Sequence, residues 1–93
     1  MDHVNTTEAV FEITNRLGLH LRAATTLTQA LKPYASSVTL VSGNKQANAR
    51  SVTSLIMLGA GIGTKLKVKA EGPDADAALA TVKKLFENRF FED

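Results

Sequence analysis

The chain contains no cysteine, which rules out disulfides, thiol catalysis and cysteine-based metal sites. Histidine is nearly as scarce. Only His3, in the N-terminal lead-in, and His20 are present, with no regular ligand spacing, so neither a metal nor another cofactor is expected. No apolar run approaches the roughly 20 residues that a bilayer span needs, so no membrane insertion is expected. Met1 to Thr7 is polar and lacks the apolar stretch of a signal peptide. A soluble, cytoplasmic protein is the resulting expectation. The net charge of +2 is too small to argue for nucleic acid as a partner. The 93 residues, 44% of them hydrophobic, suffice for one domain with a single modest core. We expect that domain to cover residues 1–93, with 1–7 as a flexible lead-in.

What the chain does have is clear periodicity. Glu8 to Thr14 alternates, with Ala9, Phe11 and Ile13 on one side and Glu8, Glu12 and Thr14 on the other, as in a half-buried strand. Asn15 to Leu19 is a loop. Ala23, Ala24, Leu27, Ala30 and Leu31 then share one face of a helix, which runs to about Lys32 before Pro33 stops it. Ser36 to Ser42 predicts a second strand with Val38 and Leu40 inward. Gly43-Asn44 predicts a hairpin turn, and Lys45 to Arg50 a return strand with Ala47 and Ala49 inward. Ser51 stands as an N-cap before the short apolar segment Val52 to Leu58, which ends at Gly59.

Gly59, Gly61 and Gly63 follow that helix without a Gly-Lys-Ser/Thr ending, so they read as helix exit and turn rather than a phosphate loop. Thr64 to Ala70 alternates most cleanly, with Leu66, Val68 and Ala70 inward and Lys65, Lys67 and Lys69 outward. No aromatic residues interleave those lysines for base stacking, so a solvated sheet face is expected, not an RNA surface. Gly72-Pro73-Asp74 opens a last helix whose apolar stripe is Ala75, Ala78, Leu79, Val82, Leu85 and Phe86. Phe90 and Phe91, in the tail Arg89 to Asp93, are expected to tuck back. The order is β-α-β-β-α-β-α. This implies an α+β, open-faced two-layer sandwich: a four-stranded antiparallel sheet covered on one face by three helices, with the first and fourth strands at the centre or beside it.

The stretch that carries chemistry is Gly18-Leu19-His20-Leu21-Arg22. It places His20 at or beside the N-cap of the first helix. There, unpartnered N–H groups and the helix dipole make an anion site. Arg22, two residues on, can bring a guanidinium to the same anion. A neutral imidazole is a nucleophile, and beside an anion cradle it can accept a phosphoryl group. Taken alone, a histidine near a helix start reads as a simple cap or surface residue. The pattern gains weight from its place between a strand and a helix in a short chain.

With that motif on the first helix and Ser51 capping the second, the chain resembles the HPr family, the histidine phosphocarrier proteins of the bacterial phosphoenolpyruvate-dependent phosphotransferase system. The similarity covers Glu8 to Phe86. It implies a covalent phosphoryl carrier rather than a free-standing enzyme, and a cytoplasmic monomer. By the resemblance, His20 is phosphorylated by enzyme I as a pros-phosphohistidine and passes the group to an enzyme IIA domain, while Arg22 neutralises it. Ser51 matches the regulatory serine modified by HPr kinase/phosphorylase. Leu21, Thr25, Val52, Leu55 and Ile56, with Thr26 and Met57, would supply docking contacts around His20.

Two positions depart from the family pattern. Ala23 replaces the usual proline, and Leu17 stands where a polar residue is common. These, with the Asn88-Arg89-Phe90 ending, lean toward the nitrogen-related or regulatory branch. The alternative is a regulatory protein-binding module controlled by phosphorylation at Ser51.

Overall fold

Four alternating stretches pair into one antiparallel sheet in the computed structural model, which describes residues 5–92. The strands are β1 (Asn5–Glu12), β2 (Ser37–Ser42), β3 (Lys45–Asn48) and β4 (Lys65–Gly72). The helices are α1 (Leu21–Ala30), α2 (Val52–Met57) and α3 (Ala75–Glu87), and a short turn at Arg89–Phe91 follows. The order β-α-β-β-α-β-α and the two-layer architecture are those read from the sequence. Across the sheet the strands run β1-β4-β2-β3, so β4 is central and β1 lies beside it at an edge.

β1 begins earlier than its apolar alternation. Asn5, Thr6 and Thr7, expected in the flexible lead-in, pair with Gly72, Glu71 and Ala70. Their polar side chains hid this, because backbone pairing at a sheet edge requires no apolar residue. The rest of the lead-in, His3 included, lies outside the described residues.

One face of the sheet is buried. Ile13, Val38, Leu40, Ala47, Ala49, Leu66, Val68 and Ala70 meet Ala23, Ala24, Leu27 and Leu31 of the α1 region, Leu55 of α2, and Ala75, Ala78, Val82, Leu85 and Phe86 of α3 in a single core. Each fully buried leucine contributes about 1.5–3 kcal/mol relative to exposure. α3 lies over β1 and β4, while α1 packs against α2. The other face is open, and carboxylates face two of its three β4 lysines. Glu8 stands opposite Lys69 and Glu12 opposite Lys65, and Lys69 also sits 3.6 Å from Glu71. These carboxylates break what read in the sequence as a lysine stripe.

Two boundaries shift for identifiable reasons. α1 ends at Ala30, two residues early, because its last turn tightens: the Leu31 N–H is shared between the carbonyls of Leu27 and Thr28. The chain leaving the helix is held by the Arg50 guanidinium, which donates to the carbonyls of Leu31 at 3.0 Å, Tyr34 at 2.6 Å and Ser36 at 2.9 Å. β3 stops at Asn48, whose side-chain oxygen accepts the Arg50 N–H at 2.9 Å and turns the chain toward α2.

The C-terminal turn is unusual. Arg89, Phe90 and Phe91 have φ of 51°, 53° and 60°, a left-handed run that costs non-glycine residues about 1–2 kcal/mol each. Phe90 offsets part of this by burying its ring against Phe86, with centroids 5.0 Å apart. Phe91, expected to tuck back as well, is exposed.

Candidate functional site

The loop carrying His20 is clamped before α1 begins. Ile13 donates to Thr64 at 2.9 Å, Gly63 donates to Ile13 at 2.7 Å, and Leu19 donates to Ala60 at 2.9 Å. The glycine-rich connection after α2 is therefore the seat of the His20 loop. Gly18 is needed for this approach. Its φ is +67°, and a Cβ there would stand 2.5 Å from the Ala60 carbonyl oxygen and 2.7 Å from the Gly61 Cα. Leu19 buries its side chain as an anchor, and the next residue, His20, emerges at the surface.

His20 caps α1 with extended backbone angles, φ −83° and ψ −176°. Its Nδ1 accepts the Arg22 N–H at 3.3 Å, and its Nε2 lies 2.7 Å from Oε2 of Glu92. A carboxylate facing Nε2 requires a donor there, and an N–H facing Nδ1 requires an acceptor. The hydrogen-bond pattern thus assigns the Nε2–H tautomer, with the Nδ1 lone pair directed at the first turn of the helix. The side chain keeps 28% of its surface exposed, and the Nδ1 contact, at 3.3 Å, is the longer of its two.

Arg22 is exposed, and among the described residues its guanidinium has no hydrogen-bond or ion-pair partner. With Arg16, Leu17, Phe91 and Glu92, the last of which is bonded to the His20 ring, it lines an open groove of about 450 Å³. Ala23 buries its methyl group in the core, and unlike a proline it contributes a backbone N–H to the first turn.

The expected docking residues separate into two groups. Leu21 and Ile56 are exposed, as is Met57, while Thr25, Thr26 and Val52 are half-buried. Leu55 is a correction: at 0% exposure it belongs to the core and cannot contact a partner. α2 has only six residues, and its sheet-facing side needs that leucine. Leu17, Ile62 and Phe91 are further exposed apolar side chains that were not expected there. Ser51 is half-buried at the start of α2, and its Oγ accepts the Ser54 N–H at 3.2 Å.

Two members of the site were missed from the sequence. Glu92 lies 72 positions from His20, and nothing local announces the contact. Asn15 is fully buried; its Nδ2 donates to the Gly18 carbonyl at 2.7 Å and to Glu92 Oε1 at 2.9 Å. An asparagine three residues before a glycine was a local signal for a loop brace, though not for its second bond.

Comparison with known proteins bears on the family and the fold. Residues 7–88 match the family model described as the PTS HPr component phosphorylation site. The chain is 40% identical over 81 residues to the phosphocarrier protein HPr of Xylella fastidiosa (strain Temecula1), covering 87% of this chain and 91% of that protein. It is 38% identical over 89 residues to the phosphocarrier protein NPr of Escherichia coli (strain K12), covering 95% and 99% respectively. The crystal structure of HPr-C-His from Thermoanaerobacter tengcongensis superposes with a TM-score of 0.89 at 33% identity, covering 94% of this chain and 98% of that one.

Proposed function

This chain belongs to the HPr family of phosphotransferase-system phosphocarriers, and we propose on that premise that Nδ1 of His20 is the atom that carries the phosphoryl group. The observation that carries this reading is the paired contact of the ring: Nε2–H is held by Glu92 while the Nδ1 lone pair faces the start of α1. Enzyme I is the donor and an enzyme IIA domain the acceptor. In the first transfer Nδ1 attacks phosphorus, and the P–N bond forms as the bond to the donor's leaving atom breaks. The electron pair of that bond departs with the donor, and Nε2 keeps its proton. The ring gains positive charge as it bonds to phosphorus, and the Glu92 carboxylate offsets that charge. Arg22 closes on the phosphoryl oxygens, with the first-turn N–H groups behind it. The second transfer reverses these movements onto the acceptor.

Leu21, Ile56 and Met57, with Thr25 and Val52 at their margin, form the surface that meets both partners. The protein acts as a cytoplasmic monomer, and no described helix is long and apolar enough to cross a membrane. Relatives of both names match at similar identity, 40% for an HPr and 38% for an NPr, so a place in the nitrogen-related branch rests on Leu17, Ala23 and the Asn88-Arg89-Phe90 ending. The test is incubation with enzyme I and phosphoenolpyruvate, followed by addition of an enzyme IIA domain. An acid-labile phosphoryl group on His20, absent from His20→Ala and lost to the acceptor, is expected. Undiminished incorporation into His20→Ala would sink the reading.

A second reading attaches to Ser51, because its half-buried hydroxyl caps the helix that carries Ile56 and Met57. Phosphorylation there by HPr kinase/phosphorylase would place a dianion beside the docking surface and regulate partner binding.

A further inference from the structure

We propose that Glu92 is a positioning residue for phosphoryl transfer. In this account its carboxylate locks the orientation and tautomer of His20 so that Nδ1 alone is offered as nucleophile, and the left-handed C-terminal turn is retained because it delivers that carboxylate. The proposal rests on the reading of His20 as phosphoryl acceptor.

Both carboxylate oxygens are committed. Oε2 accepts from His20 Nε2 at 2.7 Å and Oε1 accepts from Asn15 Nδ2 at 2.9 Å. The side chain retains 14% of its surface, so these bonds form where water competes little. Asn15 braces the arrangement from beneath. Its two amide protons go to the Gly18 carbonyl, at 2.7 Å, and to Glu92, so one buried side chain holds both the loop that presents His20 and the carboxylate that orients it. Reversing the Asn15 amide would set its oxygen against a carbonyl and a carboxylate, so the network admits one arrangement. Oδ1 is left without a partner among the described residues; the arrangement keeps both donors in use even though this acceptor goes unpaired.

The backbone carries the same message. Arg89, Phe90 and Phe91 are three consecutive non-glycine residues at positive φ, a conformation that persists only where surrounding contacts hold it. Those contacts are the Asn88 N–H bonded to the Lys84 carbonyl before the run, Phe90 buried on Phe86 in its middle, the Phe91 and Glu92 N–H groups bonded to the Asn88 and Arg89 carbonyls, and Glu92 bonded to His20 at its end. A chain leaving α3 without this reversal would have no reason to return to His20. In function the arrangement resembles the carboxylate that orients a catalytic histidine in hydrolases, where the acid acts through the ring rather than on the substrate.

A purely mechanical tether predicts something different, and Glu92→Gln separates the two. A carboxylate accepts at both oxygens, whereas an amide accepts at one and donates at the other. The amide that replaces Glu92 in this variant cannot satisfy both Asn15 and the Nε2–H form of His20. With its oxygen on Asn15, its N–H aims at Nε2 and drives the ring proton to Nδ1.

The experiment records imidazole ¹⁵N–¹H correlation spectra of the unphosphorylated wild type, Glu92→Gln and Glu92→Ala. It then measures phosphorylation by enzyme I with phosphoenolpyruvate and identifies the nitrogen modified. The expected result is a single Nε2–H tautomer in the wild type, lost or mixed in both variants, with acceptance slowed about 10- to 100-fold and some phosphoryl group appearing on Nε2. Unchanged tautomer, unchanged nitrogen and wild-type rates in both variants would overturn the proposal. If wild type accepts no phosphoryl group, the acceptor reading fails on its own, and the spectra still decide whether Glu92 sets the tautomer.

Discussion

His20 and Ser51 occupy equivalent positions in two neighbouring helices: each caps its own N-terminus with a side-chain lone pair, Nδ1 toward the Arg22 N–H and Oγ toward the Ser54 N–H. The two proposed phosphorylation sites are thus also structural caps, and any substitution there changes stability as well as chemistry. The two effects separate by choice of replacement. His20→Ala should lose acceptance and about 1 kcal/mol of stability with the cap, which corresponds to a melting temperature about 4–8 °C lower in a domain of this size. His20→Asn should recover the part of the melting temperature that belongs to the cap, since asparagine is a strong cap, but not the part carried by the bond to Glu92, and remain unable to accept. Thermal denaturation and labelling on the same pair of variants check this.

Arg22 offers the opposite separation. Its guanidinium is exposed and unpartnered among the described residues, so Arg22→Ala should leave the melting temperature nearly unchanged. The rate of acceptance from enzyme I should fall about 10- to 100-fold, the worth of a charge-assisted bond to the phosphoryl oxygens. Arg22→Lys should recover part of this, because it restores the charge without the fork. Equal rates for wild type and Arg22→Ala would remove Arg22 from the site.

Ser51 can be tested in the same manner. Ser51→Ala removes the acceptor for the Ser54 N–H and should cost about 1 kcal/mol. Ser51→Asp keeps a capping oxygen and adds the negative charge favoured at a helix start, so its stability should match wild type. If phosphorylation here regulates docking, binding to enzyme I should weaken in Ser51→Asp and not in Ser51→Ala. Titration calorimetry on both variants decides between regulation and a structural cap alone.

The parts of this molecule that were legible in its sequence are those with local causes. Alternation in Thr64 to Ala70, the Gly43-Asn44 hairpin and the Ser51 cap each depend on residues within a few positions, and all three are present. His20 at a helix start was legible for the same reason. Leu55 was not placed correctly, because six residues make less than two turns and pattern alone does not say which side faces the sheet. Glu92 was not legible at all. Its contact depends on a reversal made by Arg89, Phe90 and Phe91, residues that disfavour positive φ, so local propensity argues against the turn that forms.

Gly18 tests how tightly the His20 loop must sit on the segment after α2. Gly18→Ala brings both a positive-φ penalty and a Cβ 2.5 Å from the Ala60 carbonyl oxygen. Strain of this kind costs about 1–3 kcal/mol, and the atom it meets is backbone that cannot swing aside. The variant should unfold at lower denaturant. Its surviving folded fraction should accept phosphoryl groups more slowly than wild type, because the loop shift moves His20 away from Glu92. A destabilised variant with normal acceptance per folded molecule would show that the seat serves stability alone.

Asp74 sets an acid limit on the fold, far from His20. Its carboxylate accepts from the Ser36 hydroxyl, from the Ala35 N–H at 2.9 Å and from the Ser36 N–H at 2.9 Å, while the Ser36 oxygen accepts the Asp74 N–H at 3.1 Å. The Ser36 hydroxyl first, then the Ala35 N–H, hold the carboxyl below the usual carboxylate range, against a smaller opposing effect of burial. Gly72 makes room for this lock, since a Cβ there would fall 2.5 Å from the Ser36 Oγ. A carboxyl whose folded value is depressed binds protons more weakly when folded, so its stabilising contribution is complete above the ordinary carboxylate value. It is lost as pH falls through that value toward the folded one. Asp74→Asn replaces an acceptor with an amide that turns N–H groups toward N–H groups. It should therefore be less stable than wild type at neutral pH, and the gap should be constant down to about pH 5 and narrow below about pH 4. Urea unfolding of both proteins from pH 7 to pH 3 measures this, and a gap independent of pH would show that the lock does not depend on the charge of Asp74.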